Sequence, residues 1–412
     1  MTTQIKSGSP QAIKLFNAAL FTESVRRNSF TNSMTGDAPK SVDMNKADGN
    51  RKQTHHGAPV IRITDLGSGG GDEVTVDLVQ QLRQKPVMGD RRIAGKGAAL
   101  KFSSFTLKID QGRTLVESGG KMSQQRTMHN LRNLARSLLN PYYNALEDQL
   151  CLVHMAGARG SSTDPEWVVP LADDQDFDEI TVNKLTPPTY DRHVFGGDAT
   201  SLENIDSADT FTLGDVDKLR LFLDEMPFPL QPIKFEKDPM AEEDPFHVLW
   251  VTPRQWNDFW TSTSGNEWRA IVAEAHQRRS RFNHPVFMGE CAMWQGILVK
   301  KIKRPIRFNP GDTVDVSLND AQATVSQVTP GVTVDRAILV GGQALANAYG
   351  GIKKRSSSGR SHFHYHEELT DHENSAEHSL SWMNGKAKIR FKGTDGRTND
   401  FGVIALDTAI KI

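Results

Sequence analysis

The chain has 412 residues, of which 37% are hydrophobic and 24% charged, and its formal net charge is −1. This length predicts two or three domains, and the near-zero charge excludes a strong overall attraction to DNA, RNA or an anionic membrane. The first ten residues carry no apolar signal core, and no window approaches about 18 consecutive apolar residues, so the sequence indicates neither secretion nor a membrane span. Cys151 and Cys291 lie in apolar surroundings, which predicts reduced thiols in a chain made in the cytoplasm.

The first 72 residues form a candidate N-terminal arm. Residues 26–52 are rich in Asn, Ser, Thr, Asp and Lys and have almost nothing to bury. Their composition alone predicts disorder. If the arm is ordered, we expect it to be held by something outside its own domain, and neighbouring copies of the chain are the economical choice. Residues 60–64 have the composition of a short strand, and a hinge-like glycine-rich loop follows at 67–71.

A strand, a charged glycine-rich tip and a second strand come next. Residues 74–82 and 99–109 are rich in β-branched and apolar side chains, whereas the tip between them has no apolar content of its own to bury. An extended two-stranded arm suits a subunit that reaches over its neighbours better than it suits a small-molecule site. The tip residues expected to contact another subunit are Lys85, Gly89, Asp90, Arg91, Arg92 and Lys96.

The strongest local prediction is one long helix over residues 123–157. Ser123 is the expected N-cap and Gly157 the expected C-cap. Pro141 removes one backbone hydrogen bond, so we expect a bend there or two helices laid end to end. Apolar residues recur at three and four positions, which predicts one buried face. The core-facing residues of this face are predicted to be Met128, Leu131, Leu138, Tyr142, Leu146 and Leu150.

The rest of the chain predicts a mixed α+β fold without regular βαβ alternation. Helices are expected at 213–226, after Thr252 and at 267–281, and strands at 247–252, 290–302 and 306–308. A strand at 336–340 is expected to lead into a short helix at 341–349, and residues 386–392 and 401–410 are expected to form a closing hairpin.

A histidine-rich segment is the most tempting site for chemistry. If residues 362–366 form a strand, then His362, His364 and His366 lie on one face and offer three ligands to zinc or another divalent metal. A polar strand at a subunit contact explains the same residues, and this interpretation is favoured because no His-Glu-x-x-His motif is present. The alternative function from this segment is a soluble metalloprotein, with the three histidines as its ligands.

Other motifs of catalysis or nucleotide binding are missing from the sequence. Gly341-Gly342 is not followed by Gly-Lys-Ser/Thr, and no Gly-x-Ser-x-Gly elbow occurs. We therefore expect no enzyme activity and no cofactor. The basic runs at 300–304 and 353–355 are expected to be solvated faces, with weak non-specific contact to DNA as the alternative.

Seven short motifs occur in a characteristic order from the tip to the C-terminus. They are Gly89-Asp-Arg-Arg-Ile, Ile109-Asp-Gln-Gly-Arg113, Gly120-Lys-Met-x-x-Gln-Arg126, His284-Pro-Val-Phe-x-Gly-Glu290, Arg336-Ala-Ile-Leu-Val-Gly-Gly-Gln-Ala-Leu-Ala, Asp371-His-Glu-Asn374 and Asp400-Phe-Gly-Val-Ile-Ala-Leu-Asp-Thr-Ala. In that order they resemble the major capsid proteins of tailed bacteriophages, in particular the group typified by phage N-four. Glu373 stands where that family pattern has glycine.

The resemblance implies the Hong Kong 97 capsid fold and a division of the chain into parts. The expected parts are an N-terminal arm (1–72), an extended hairpin loop (73–121), a peripheral domain (122–229) with its spine helix (123–157), an axial domain (230–380) and a C-terminal hairpin that returns to the peripheral domain (381–412). The extended loop is expected to lie across an adjacent subunit.

The resemblance also implies a function. The chain is expected to assemble into hexamers and pentamers of an icosahedral shell around the double-stranded DNA of a tailed phage. Expected partners are scaffolding, portal and decoration proteins, with weak non-specific contact to packaged DNA and no membrane. The expected location is the virion capsid, assembled in the host bacterial cytoplasm. An encapsulin-type compartment on the same fold is the close alternative.

Overall fold

The computed structural model describes residues 30–35, 57–64, 66, 70–79, 85–97, 99–235, 238–240, 243–319, 324–353, 360–393 and 396–411. The helices are α1 (Phe30–Met34), α2 (Lys121–Gln125), α3 (Leu131–Ala156), α4 (Phe177–Thr181), α5 (Leu213–Glu225), α6 (Pro253–Ser262) and α7 (Gly265–Arg281). The strands are β1 (Val60–Ile63), β2 (Glu73–Val79), β3 (Phe102–Lys108), β4 (Asp110–Gly120), β5 (His193–Phe195), β6 (His247–Val251), β7 (Cys291–Trp294), β8 (Ile297–Lys301), β9 (Ile306–Phe308), β10 (Val314–Ser317), β11 (Val325–Val328), β12 (Val334–Val340), β13 (Leu345–Tyr349), β14 (Ile352–Lys353), β15 (Arg360–Ser361), β16 (Phe363–Thr370), β17 (Ser375–Lys388), β18 (Arg390–Lys392), β19 (Thr398–Asp400) and β20 (Val403–Ala409). The mixed α+β class is confirmed.

The larger sheet has seven strands and lies between layers of helices. Its order is β5-β20-β12-β6-β8-β7, and β9 also pairs with β12. Strands β6, β12 and β20 are buried along their whole length, since their side chains are covered on both faces. Leu249, Leu339 and Leu406 point to the face covered by α5, α6 and α7, and the C-terminal half of α3 packs on the opposite face.

The second sheet has five strands and carries α3 on one face. Its order is β1-β13-β17-β16, and β4 also pairs with β17. From Ser375 to Met383 every second residue of β17 is buried, and Leu380 and Trp382 pack against Leu146 and Leu150 of α3. The residues between them point to the opposite face and are only partly covered. This alternation is the pattern of a sheet with a single covered face.

Part of the N-terminal arm packs on its own chain, contrary to expectation. Phe30 and Met34 of α1 are buried in the main core. The Asp148 carboxylate of α3 accepts hydrogen bonds from the backbone N–H groups of Phe30 (3.3 Å) and Thr31 (3.0 Å). Thr35 forms a parallel bridge to Val60, which begins the predicted strand β1. Two apolar residues in a polar segment were enough to anchor it, whereas predictions for residues 1–29 and 36–56 lie outside the described residues.

The single helix predicted over residues 123–157 is wrong at its N-terminal end. Ser123 lies inside the short helix α2, and α3 begins only at Leu131, with the Asn130 side chain capping the N–H of Asn133. The helix passes through Pro141 without a break, so the interruption lies at 126–130 instead. Gly157 is the C-cap in the left-handed conformation, as predicted.

The short helix predicted at 341–349 is a strand. β13 lies at the centre of the five-stranded sheet, parallel to β1 and antiparallel to β17. Its alanines, Ala346 and Ala348, are fully buried between these neighbours. Alanine favours helix by local propensity, but here the pairing of both strand edges outweighs that preference.

The closing segment 381–412 is not one hairpin. Residues 375–388 form the continuous strand β17, so the boundary expected at 380/381 falls inside a strand. The hairpin is the small pair β18–β19, in which Arg390 lies opposite Asp400. β20 then joins the seven-stranded sheet between β5 and β12. The two expected closing strands therefore belong to different sheets.

No helix in the described part of the chain is long and apolar enough to cross a membrane. Cys151 is buried and Cys291 is partly buried, and both are free thiols.

The turn between β16 and β17 has an unusual backbone. Asp371, His372 and Glu373 have φ angles of 51°, 54° and 65°, all in the left-handed region. Side chains with a Cβ pay an energetic cost there that glycine avoids. Glu373→Gly is therefore expected to raise the free energy of unfolding by about 1 kcal/mol, measured by urea denaturation. An unchanged or lower stability would mean that the glutamate side chain contributes a compensating contact.

Candidate assembly surfaces

The predicted hairpin is confirmed and is mounted firmly at its base. β2 and β3 pair antiparallel from Glu73↔Lys108 to Val79↔Phe102. Val76 and Leu107 lie on the face that packs against the core beside the five-stranded sheet. From Phe102 towards the tip the chain leaves this support, as the 63% exposure of the Phe102 side chain shows. The hairpin therefore has a fixed base and a projecting end.

Two backbone contacts hold the base in place. The Asn183 side chain accepts a hydrogen bond from the N–H of Lys108 (3.0 Å) and donates one to its carbonyl oxygen (2.9 Å). Gly385 of β17 lies so close to that carbonyl that a Cβ at this position would overlap it. These contacts fix the point at which the hairpin leaves the body of the subunit.

The hairpin tip, residues 85–97, has little contact with its own chain. All six residues predicted to contact another subunit are exposed: Lys85, Gly89, Asp90, Arg91, Arg92 and Lys96. A Cβ placed at Gly89 or Gly95 would have no atom within 4 Å. Both glycines have positive φ, and the N–H of Lys96 donates to the Ile93 carbonyl (3.0 Å), so the tip is shaped by local turns.

The tip carries exposed apolar side chains, contrary to the prediction that it has no apolar content to bury. Met88 and Ile93 are each 71% exposed, and Leu100, just after the tip, is 61% exposed. Apolar side chains that project together beyond the support of their own chain are typical of a surface that is buried on association. With Arg91 and Arg92 beside them, they form a mixed apolar and cationic surface.

The predicted core face of α3 is only half right. Leu146 and Leu150 are buried against the five-stranded sheet, and Leu131 is partly buried. Met128 lies before the helix and is 66% exposed, and Leu138 and Tyr142 are also exposed. The reason is geometric: a repeat of three and four residues allows two adjacent stripes, and the sheet covers the neighbouring one. The residues that face the sheet in the N-terminal half are Ala135 and Leu139.

The histidine-rich segment forms the edge strand β16 of the five-stranded sheet. His364 lies opposite Ser381 and His366 opposite Ser379, on the face away from α3, and His362 lies just before the strand. The rings of His364 and His366 are 6.2 Å apart. Across the described ranges, no three His, Cys, Asp or Glu side chains are arranged as ligands of a metal ion. The geometry favours the interpretation of a polar strand.

A buried ion pair joins two neighbouring strands of the seven-stranded sheet and contacts the end of α3. Arg336 of β12 donates to both carboxylate oxygens of Asp407 on β20, each at 2.7 Å. Its third contact is the carbonyl oxygen of Ala156 (3.1 Å), the last residue of α3. His193 of β5 lies 2.7 Å from the same carboxylate. Arg336 and Asp407 both lie in motifs shared with the capsid proteins that the sequence resembles, and this was the only indication in the sequence that they matter.

The charge state of this cluster follows from its burial. Burial alone would raise the pKa of Asp407, but Arg336 and then His193 hold it well below its usual value. Burial lowers the pKa of His193, and its Nε2–H donates to the Asp407 carboxylate. A second buried cluster is built alike, since Lys388 and Arg390 both contact Asp400. Both clusters lock strand to strand and show no access for a reactant.

Comparisons with known proteins agree with these features. The capsid of Ralstonia phage GP4 is 26% identical, with a TM-score of 0.74, and covers 100% of this chain and 99% of its own. The Cyanophage Pam1 capsid gives a TM-score of 0.62 at 16% identity, covering 97% and 96%. The head of the Helicobacter pylori bacteriophage KHP40 gives 0.60 at 12% identity, covering 97% and 95%.

No curated protein matches the chain significantly. The family model described as "Phage capsid protein" matches residues 4–412, which is almost the entire sequence. The structural neighbours also agree with the Hong Kong 97-type fold that the motifs predicted. The chain therefore belongs to the phage capsid protein family.

Proposed function

We propose that this chain is the major capsid protein of a tailed phage and assembles into the hexamers and pentamers of an icosahedral shell around double-stranded DNA. The observation that carries the proposal is the hairpin tip, whose apolar and cationic side chains project beyond their own subunit from a rigidly held base. Repeated modest contacts around symmetry axes build such a shell, and no catalysis is needed.

The two sheets suggest a revised division into domains. We propose that the five-stranded sheet with α3 forms the peripheral domain, and that the seven-stranded sheet with α5, α6 and α7 forms the axial domain. The strand β20 then belongs to the axial domain, and the strand β17 to the peripheral one. The buried pair Arg336–Asp407, which also contacts Ala156, is the joint between them.

The expected partners remain part of this proposal. Scaffolding, portal and decoration proteins would meet the assembled shell, and the packaged DNA would make weak non-specific contacts. A formal net charge of −1 suits that role, because a strongly basic wall would bind the incoming DNA. Assembly would take place in the host bacterial cytoplasm, and the final location would be the virion.

Charge reversal at the tip tests the proposal. The double variant Arg91→Glu with Arg92→Glu is expected to lower the yield of shells about tenfold or more, because it removes attractive contacts between subunits. Folding of the subunit should be unchanged, since both side chains are exposed. The measurement is particle yield by sedimentation and negative-stain microscopy, with thermal unfolding of the unassembled subunit alongside.

The matched control is Lys303→Glu with Arg269→Glu, which makes the same charge change at exposed positions away from the hairpin. It should assemble like the unmodified chain. Undiminished shell yield from the tip variant would count against the proposal. The contents of particles from infected cells separate the close alternative, since an encapsulin-type compartment would hold cargo enzyme in place of phage DNA.

A further inference from the structure

We propose that the hairpin tip of one subunit docks on a row of three glutamates, Glu117, Glu377 and Glu368, on the five-stranded sheet of a neighbouring copy. This inference rests on the proposed shell and names the surface that receives the tip. The three residues are called the acidic row below.

The acidic row is fixed by the register of three adjacent strands. Glu377 on the central strand β17 lies directly opposite Glu117 of β4 on one side and Glu368 of β16 on the other. Residues directly opposite in antiparallel strands point to the same face, with Cβ atoms about 5 Å apart. Three carboxylates therefore stand side by side across the sheet.

The acidic row lies on the face of the sheet that α3 does not cover. The residues on either side of Glu377 along β17, Ala376 and His378, are buried, so Glu377 points away from α3. Glu368 is exposed and Glu117 is partly exposed. The base of the chain's own hairpin covers another part of this face, where Lys108 meets Gly385. Around the acidic row, Glu368 and Leu115 are exposed, so this part of the face is accessible to a partner.

Like charges directly opposite each other destabilise a pair of strands. In the described part of the chain, neither Glu368 nor Glu377 forms an ion pair with a cationic side chain. The isolated subunit thus carries repulsion in its sheet that a cationic partner would relieve. A surface of this kind gains more from binding a basic group than a single exposed carboxylate would.

The hairpin tip has the matching chemistry. Its described charged residues are Lys85, Arg91, Arg92 and Lys96 against the single acid Asp90. Next to the acidic row, Leu115 of β4 lies opposite Ser379 and is 57% exposed. It offers an apolar contact to Met88 or Ile93 of the tip, which are also exposed. Charge and apolar surface therefore match on both sides.

The length of the hairpin and the symmetry of the proposed shell are also consistent with docking of the tip on the acidic row. Beyond the supported base, residues 96–102 span about 20 Å when extended, which brings the tip clear of its own subunit and within reach of a neighbour packed beside it. Each copy carries one tip and one acidic row at separate places, so the contact is head-to-tail. Head-to-tail contacts close into rings when the rotation between copies allows it, and rings of five and six are the units of the proposed shell.

The chain has a second exposed acidic surface, which serves as the competing site. Asp173 and Glu179 are exposed beside α4, but Phe177 between them is buried, so this surface has no comparable apolar group. The variant Asp173→Lys with Glu179→Lys makes the same charge change as Glu368→Lys with Glu377→Lys. Comparing the two variants identifies which acidic surface the tip needs.

A charge swap tests the docking. We expect Glu368→Lys with Glu377→Lys to lower shell yield about as much as Arg91→Glu with Arg92→Glu, roughly tenfold. The four-residue variant that combines both reversals should recover most of the yield. Asp173→Lys with Glu179→Lys should assemble normally. Thermal unfolding of each unassembled variant checks that the subunit still folds. We expect it to fold, because two lysines on adjacent strands repel each other no more than the two glutamates they replace.

A cross-linking experiment gives a readout that does not need charge reversal. Arg92→Cys combined with Glu368→Cys, treated with a short bis-maleimide, should give covalent chains of subunits in assembled shells. Arg92→Cys combined with Asp173→Cys should give none.

The outcomes separate this inference from the proposed function. If the unmodified chain forms no shells, the proposed function fails and the docking fails with it. If the tip reversal blocks assembly while the reversal at Glu368 and Glu377 does not, the shell role stands and the docking is wrong. The docking is also overturned if the combined variant recovers no yield, or if Asp173 cross-links in place of Glu368.

Discussion

Replacing Asp407 by alanine is expected to lower the free energy of unfolding by about 3–5 kcal/mol, because it leaves a charged guanidinium buried without its partner. Arg336 has no exposed surface, and Asp407 supplies two of its hydrogen bonds. The same carboxylate is the partner of His193. Chemical denaturation followed by tryptophan fluorescence measures the loss, since the chain has seven tryptophans.

A compensated variant provides the control for this prediction. Arg336→Met combined with Asp407→Leu removes both charges and keeps much of the buried volume, so it should be more stable than Asp407→Ala alone. If the single variant loses less than about 1 kcal/mol, the pair is more hydrated than its burial indicates. Because Arg336 also donates a hydrogen bond to the carbonyl of Ala156, the double variant should loosen the end of α3 as well.

Gly385→Ala is the second change with a large expected effect, about 3 kcal/mol of stability or more. The new Cβ would overlap the carbonyl oxygen of Lys108 and come within 3.1 Å of the Cα of Ile109. Both are backbone atoms, so no side chain can turn aside to make room. The hairpin base must shift, and the paired hydrogen bonds between Lys108 and Asn183 should break.

Hydrogen exchange at the Leu107 and Lys108 amides would report this shift directly, and denaturation would give its energy. Gly97→Ala is the matched control in the same hairpin, because a Cβ there has no atom within 4 Å. It should leave the folding of the subunit unchanged. Equal stability of the two variants would show that the base is not held as tightly as the contact at Gly385 indicates.

The sequence predicted the hairpin well because its strands have a local signature. β-branched residues on both sides of a glycine-rich turn need no knowledge of the rest of the molecule, and the pairing of β2 with β3 follows. The strand β13 failed for the opposite reason. Its alanine-rich sequence favours helix locally, and only contacts with β1 and β17, far away in the chain, make it a strand.

The face of α3 shows a second limit of sequence reasoning. Leu138 and Leu139 both fit a repeat of three and four, but they point in different directions, and only the position of the sheet decides which is buried. The acidic row was similarly invisible, because Glu117, Glu368 and Glu377 become neighbours only through strand register. In the sequence, Arg336 and Asp407 occur only as members of two separate motifs, and nothing there shows that the two side chains contact each other.

The bridge between Thr35 and Val60 places α1 beside the first strand of the five-stranded sheet. Met34 and Ala58, close to the two bridged residues, are completely buried in the main core. The ring of Phe30 lies 4.8 Å from that of Trp250 in the seven-stranded sheet. Residues 30–35 therefore cover core surface that the rest of the subunit would otherwise expose. A chain without them would have to bury that surface against another protein, or lose stability.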